Sequence, residues 1–243
     1  VTAGRMPDPF LATDLIYSNE LNFDGVAGHF EVPFTKDVGA FATLGLFPIE
    51  YTGNDTPSAA LGSDKYRSYD KYLSAVQVGA KIKFDQDAQW KIALAYYYFN
   101  RMRGQLSAPC DVSAGTGTPF CSTDDTAPDY LQKGNTVFLL RDIVPPQQSP
   151  DNYAQPQFVG LAYDYHLLNF TNQLDFKLGQ MPIRLQADYV RNMAYHEKQA
   201  FQRYPNGLGQ PVNNYEAGPE VNGAPTNGPY RSGPVGYLVR AIV

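Results

Sequence analysis

At 243 residues the chain is long enough for one large domain, and with 43% apolar and 18% charged residues it is not a disordered polymer. A net charge of −5 without any basic stripe excludes a nucleic-acid surface built on clustered Lys and Arg. Aromatics reach 14%, with 18 Tyr and 14 Phe against a single Trp, a balance that suits strands and membrane interfaces better than helices.

No apolar run nears the roughly 18 residues of a spanning helix; the longest, Ile92 to Phe99, has eight. A membrane protein of this composition must therefore cross as a closed barrel, which satisfies its backbone hydrogen bonds between strands. The mean hydropathy of −0.36 is compatible, because barrel strands are half polar and their loops wholly so.

A period of two recurs along the chain, the signature of half-buried strands. Val1–Met6 reads as a strand from its first residues. From Gly25 to Phe34, Val26, Gly28, Phe30, Val32 and Phe34 share one face and His29 and Glu31 the other. Ala40–Tyr51 follows. From Tyr72 to Phe84 the apolar face carries Tyr72, Val76, Val78, Ala80 and Ile82, against Gln77, Gly79, Lys81 and Lys83. Trp90, Ile92, Leu94, Tyr96 and Tyr98 alternate with Lys91, Ala93, Ala95 and Tyr97. Val159, Leu161, Tyr163, Tyr165 and Leu167 alternate with Gly160, Ala162, Asp164 and His166. Ile183, Leu185, Ala187 and Tyr189 alternate with Arg184, Gln186 and Asp188, and Gly236–Val243 closes the series.

Most of the complete strands among these eight run about 12 residues, longer than the usual globular strand of about 5–6. Tight turns at Thr35–Gly39 and Asp85–Gln89, and a longer one at Asn169–Pro182, lie on one side. Pro7–Asn22, Thr52–Lys71, Met102–Pro156 and His196–Val235 lie on the other. Short periplasmic turns facing long extracellular loops are the outer-membrane pattern. Aromatics collect at strand ends, with Phe34, Phe41, Phe84 and Trp90 at the short turns and Tyr51, Tyr72, Tyr98, Phe99 and Tyr195 opposite, as two interface girdles require. Because both ends read as interrupted strands, the expectation is one β-barrel domain over 1–243, incomplete at both ends: an all-β, antiparallel transmembrane barrel segment.

Cys110 and Cys121 share a polar stretch without CxxC spacing, and are expected to close a loop disulfide in an oxidising compartment. Within the same long loop, Gly134–Val144 is apolar. It is expected to extend the barrel wall as a strand above the membrane, the alternative being a loop folded inward to narrow the pore.

The stretches TAGRMPDPF, TDLIY and LNFDGVAGHF between Thr2 and Phe30 resemble the putative-porin family of Gram-negative outer membranes. GNTVFLLRDIV (Gly134–Val144) and RLQADYVRN (Arg184–Asn192) are similar to later segments of that family. The resemblance implies an outer-membrane barrel with a polar lumen and no enzymatic site.

No catalytic constellation competes with this. His196-Glu197 opens like a zinc-protease motif, but Ala200 stands where the second ligand belongs. No P-loop, GxSxG or dinucleotide fingerprint occurs, and neither metal nor cofactor is expected. The polar-face residues His29, Glu31, Lys81, Lys83, Lys91, Arg101, Asp164, His166, Arg184 and Asp188 are expected to line the pore, where charges bias which solutes pass. On a lipid face each Lys or Arg would cost about 2–4 kcal/mol. The expected function is an outer-membrane porin for passive diffusion of small hydrophilic solutes. Its surroundings would be the lipid bilayer and lipopolysaccharide, with homo-oligomers as a further option. A structural or anchoring barrel with adhesive, partner-binding loops and a secreted glycan-binding β-sandwich are the alternatives.

Overall fold

The computed structural model describes residues 1–18, 20–51, 70–105, 127–128, 135–143, 155–196, 218–221, 224–226 and 233–243. Cys110 and Cys121 lie outside these residues. Eight strands form one antiparallel sheet in the order β1-β2-β3-β4-β5-β8-β9-β12. They are β1 (Thr2–Pro7), β2 (Asn22–Pro33), β3 (Val38–Glu50), β4 (Lys71–Lys83), β5 (Gln89–Phe99), β8 (Tyr165–Leu178), β9 (Met181–Asn192) and β12 (Val235–Ile242). No helix occurs among the described residues, and β1 and β12 are open edges. Two hairpins stand apart, β6 (Val137–Ile143) with β7 (Gln155–Leu161) and β10 (Gly218–Val221) with β11 (Ala224–Thr226).

The alternation read from the sequence becomes two chemically opposite faces. Val26, Phe30, Val32, Leu44, Leu46, Val76, Val78, Leu94 and Val239 project outward and stay exposed. Their neighbours Ala27, Thr43, Phe47, Ala75, Gln77, Ala93, Ala95, Tyr97, Thr171 and Asp188 turn inward and are buried. The inner cover comes from the β1–β2 connection. Residues 8–18, which the sequence suggested as an extracellular-side loop, fold back over the inner face as a strap. Phe10 packs edge-on against Phe23 of β2, with ring centroids 6.5 Å apart, and Asp14, four residues on, pairs with Arg240 of β12.

That reach favours curvature. β2 and β12 are separated by six strand spacings, roughly 29 Å in a flat sheet. Four residues of extended chain cover at most about 14 Å. The side chains at the two contacts must supply the rest, and a sheet that wraps around the strap shortens the gap they have to close.

Three features depart from the sequence reading. The strand expected near Val159–Leu167 is two strands with a bend at residues 162–164. Ala162 N–H donates to Thr136 O at 2.9 Å, closing the β6–β7 hairpin. The Asn192 amide then clasps the bend, donating to Asp164 O at 2.8 Å and accepting from His166 N–H at 3.1 Å. The bend resets the alternation, so Tyr165 and Leu167 face inward and His166 outward. Secondly, Asn169–Leu178 continues β8 where a long turn was expected. The connection is only Gly179-Gln180, with Gly179 at φ +67°, the positive value that primed two-residue hairpins need at their first position. Thirdly, the segment expected to extend the barrel wall contains a strand, β6, but β6 pairs with β7 and not with the wall. The β6–β7 hairpin meets the turn after β5 where Gly104 N–H donates to Leu161 O at 2.9 Å.

Among the rim aromatics, Phe41 also turns inward, where its ring lies over Gly79. A Cβ at Gly79 would stand 2.3 Å from Phe41 Cζ and 2.5 Å from Ile92 O. Gly79→Ala should therefore lower stability by about 1–3 kcal/mol, measured by urea denaturation. In a Phe41→Ala background the same change should cost less. An equal cost in both backgrounds would show that the glycine does not exist to admit the ring.

Candidate functional site

Midway along the strands the inner face is a belt of buried polar side chains: Thr43, Gln77, Asn169, Thr171, Gln173, Gln186 and Asp188. Buried polar atoms need partners, and the strap supplies several. The Gln77 carboxamide brackets Leu11 like a strand neighbour, accepting from its N–H at 2.8 Å and donating to its carbonyl at 2.9 Å. Thr13 donates to Asp188 Oδ2 at 2.6 Å. The other oxygen of Asp188 accepts from Asn169 Nδ2 and lies 3.3 Å from Thr171 Oγ1. Gln186 donates to Gln173 at 2.8 Å and accepts from Arg240 Nε at 2.7 Å, and Arg240 reaches on to Asp14. The strap is thus tied to β4, β9 and β12.

Toward the short turns the inner wall becomes charged. Glu31 Oε1 lies 2.8 Å from His29 Nε2 and also pairs with Lys81. Asp175 accepts from Arg184 Nε at 2.6 Å and from Gln173 Nε2 at 2.7 Å, and sits 4.0 Å from Lys91 Nζ. Each carboxylate therefore serves two basic side chains. Lys83 lies on the same face, at the mouth of a cavity of about 1040 Å³ that reaches the Asp85–Gln89 turn and Arg184.

Toward the long connections the interior is aromatic. Phe10 and Tyr17 both stand edge-on to Tyr97, each with ring centroids 5.3 Å apart, inside a cluster with Phe23, Phe47 and Leu73. The Tyr17 and Tyr97 hydroxyls are buried without a hydrogen-bond partner. Burial, together with nearby Tyr97 and Asp8, pushes the Tyr17 hydroxyl well above its ordinary range. Burial likewise pushes the Asp8 carboxyl up to about 6, against the opposing pull of the Phe10 N–H. Beside this cluster lies a cavity of about 780 Å³.

Of the residues expected to line a pore, His29, Glu31, Lys81, Lys83, Lys91, Arg184 and Asp188 share the inner face. Asp188 is buried under the strap, whereas the others cluster toward the short turns. Arg101 sits in the turn after β5 at φ 58°, and Asp164 in the β7–β8 bend. His166 lies on the outer face, its ring 4.4 Å from that of Tyr98. The strap residues Thr13 and Asp14, and the uncharged belt of Asn169, Thr171 and Gln173, escaped the sequence reading. The belt was detectable as alternating polar positions in LNFTNQL; the strap has no period to detect. No group of His, Cys, Asp and Glu able to hold a metal ion occurs among the described residues.

The sequence model of a family described as a putative porin matches residues 1–243, the whole chain. Neither the curated proteins nor the solved structures provide a match.

Asp188→Ala would strand the buried donors of Thr13 and Asn169. At about 1–3 kcal/mol for each unsatisfied group, the wall should lose several kcal/mol, and limited proteolysis should begin within residues 8–18. Asp8 supplies a pH test. Its carboxyl binds a proton more tightly in the folded protein than in the unfolded chain. Its contribution to stability is therefore full below about pH 3.8 and is lost as pH rises through about 6. Melting temperatures of wild type and Asp8→Asn measured between pH 4 and 8 should diverge across that window, the variant losing the wild-type decline. Parallel curves would show that Asp8 titrates normally.

Proposed function

The chain belongs to the putative-porin family, and from that premise we propose that its sheet is wall of an outer-membrane channel for passive diffusion of small hydrophilic solutes. The observation that carries this reading is the polarity of the sheet. Outward side chains such as Val78 and Leu44 are about half exposed, at 52% and 51%, while inward Gln77 and Thr43 are buried at 1% and 0%. A soluble sandwich would cover the apolar stripe with a second sheet, and none of the described residues covers it. In hydrocarbon the free edges of β1 and β12 would each leave backbone groups unsatisfied at several kcal/mol apiece. The proposed wall is therefore closed, by these edges meeting each other or further strands. The short turns face the periplasm and the long connections the outside, as in other outer-membrane barrels. The outer face then meets lipid and, in the outer leaflet, lipopolysaccharide.

A second reading draws on the strap. Because Thr13, Thr43, Asn169 and Thr171 are each fully buried at 0% exposure, the interior is filled at mid-height. Such filling also suits a plugged barrel serving as an anchor. Single-channel recording in planar bilayers separates the two. A porin should conduct as wild type, and replacing residues 8–18 by a short Gly-Ser linker should raise its conductance. A silent wild type with a conducting strap deletion would identify the plugged barrel, and silence of both would sink the channel reading. Val78→Arg, at mid-strand on the outer face, should reduce folding stability in lipid vesicles by about 2–4 kcal/mol. A loss near zero would mean that this face does not meet hydrocarbon.

A further inference from the structure

We infer that the solutes this wall favours are small aromatic anions, carboxylates or sulfonates carrying one ring. The inference rests on the channel reading and assigns it a substrate class. It comes from the different chemistry at the two ends of the inner face, on either side of the strap.

At the short-turn end the wall strands β4, β5 and β9 bring together Lys81, Lys83, Lys91 and Arg184. Against these four basic side chains stand two wall carboxylates, Glu31 and Asp175. Glu31 is shared by His29 and Lys81, and Asp175 by Lys91 and Arg184. Lys177 is balanced separately by Asp87 at 2.6 Å. Lys83 makes no ion pair among the described residues. The wall strands therefore keep a surplus of two positive charges among the described residues, and Lys83 and Arg184 line the 1040 Å³ cavity. The turn residues Lys36, Asp37 and Asp85 line the same cavity, with Asp37 3.9 Å from Lys36, and lower the surplus at this end to one. Elsewhere on the inner face Arg240 pairs with Asp14, Asp188 is enclosed by donors, and Asp8 lies buried beside Tyr17 and Tyr97. An anion thus gains attraction along one stripe of the passage, at the short-turn end.

At the long-connection end the lining changes. Phe23, Phe47, Phe99, Tyr165, Tyr195 and Tyr17 of the strap line the 780 Å³ cavity, and Asp24 is the only charged residue among its described lining. That volume falls within the range of small-molecule pockets. Rings of this kind hold a planar apolar group by stacking or edge-on contact, while Asn135, Thr136 and Asn192 keep the wall wet. A solute that is only charged gains nothing there, and one that is only apolar gains nothing from the basic stripe. A single-ring anion gains from both.

The test uses the full chain reconstituted in planar bilayers and in vesicles, with permanently charged probes that do not cross lipid. In a KCl gradient the reversal potential should report chloride as several-fold more permeant than potassium. Lys83→Glu should move it toward potassium, and an unmoved potential would overturn the role of the basic stripe. Benzenesulfonate should enter vesicles several-fold faster than phenyltrimethylammonium. It should also reduce the chloride current at lower concentration than methanesulfonate does, because it dwells in the aromatic cavity. Phe99→Leu should narrow that last difference while leaving the reversal potential in place. A channel that conducts but admits phenyltrimethylammonium equally well, or does not distinguish benzenesulfonate from methanesulfonate, would overturn this inference and leave the channel reading standing. A protein that conducts no ion at all would overturn both.

Discussion

A polar side chain on the concave face of a curved sheet has to be answered, by water or by protein, and in this chain the strap answers it. Gln77 treats Leu11 as if it were a neighbouring strand, and Asp188 collects the donors of Thr13, Asn169 and Thr171. Without these partners the belt would be a ring of unsatisfied groups, each costing about 1–3 kcal/mol. With them, the inner face can be polar and closely packed at once. The same contacts favour curvature, because a sheet bent around the strap brings strands six spacings apart within reach of one short segment.

Much of the wall was legible in the sequence because its outer face follows one rule along most of each strand. Val26, Phe30 and Val32, or Val76 and Val78, alternate with polar or small residues, and no tertiary contact on that side interferes with the pattern. The inner face obeys a different rule. Ala75, Ala93 and Ala95 are small because the strap and the tyrosines press on them, and Phe41 is large because Gly79 makes room for it. Such reciprocal choices lie on different strands and leave no trace in one strand's pattern. That is why Phe41 and Phe99 read as rim aromatics although both turn inward. The phase error at His166 has a different source: two strands joined by a three-residue bend keep the apolar count of one. The side chain that makes the bend, Asn192, is nearly thirty residues away, as its 28-residue separation from Asp164 shows.

The charged half of the candidate site was visible in the sequence as positions on the polar faces of strands, but its pairing was not. Lys81 was visible on the polar face of β4 and Glu31 on that of β2. Their meeting depends on the register through β3, where Glu31 stands opposite Phe41, Phe41 opposite Gly79, and Lys81 opposite Gly39. The ion pair therefore spans the sheet diagonally beside the Phe41 ring, with Lys81 Nζ 5.5 Å from its centroid. The large ring that fills the notch at Gly79 thus also flanks the cation of the stripe.

The base of the strap, at Phe10 and Tyr17, and its tip between them are held by different physics, and this bears on how the interior behaves when it is wet. Phe10 and Tyr17 are fixed by apolar burial against Phe23, Phe47 and Tyr97, a contact that water cannot replace. Leu11, Thr13 and Asp14 are fixed by hydrogen bonds to Gln77, Asp188 and Arg240, and water can replace each of these at small net cost. Water entering between the strap and β9 would exchange one set of partners for another, whereas water entering at Tyr97 would open a cavity. The strap is therefore a hinged element by construction. Its aromatic residues stay seated beside β2 and β5, and its polar tip near β9 and β12 is the part free to yield to water.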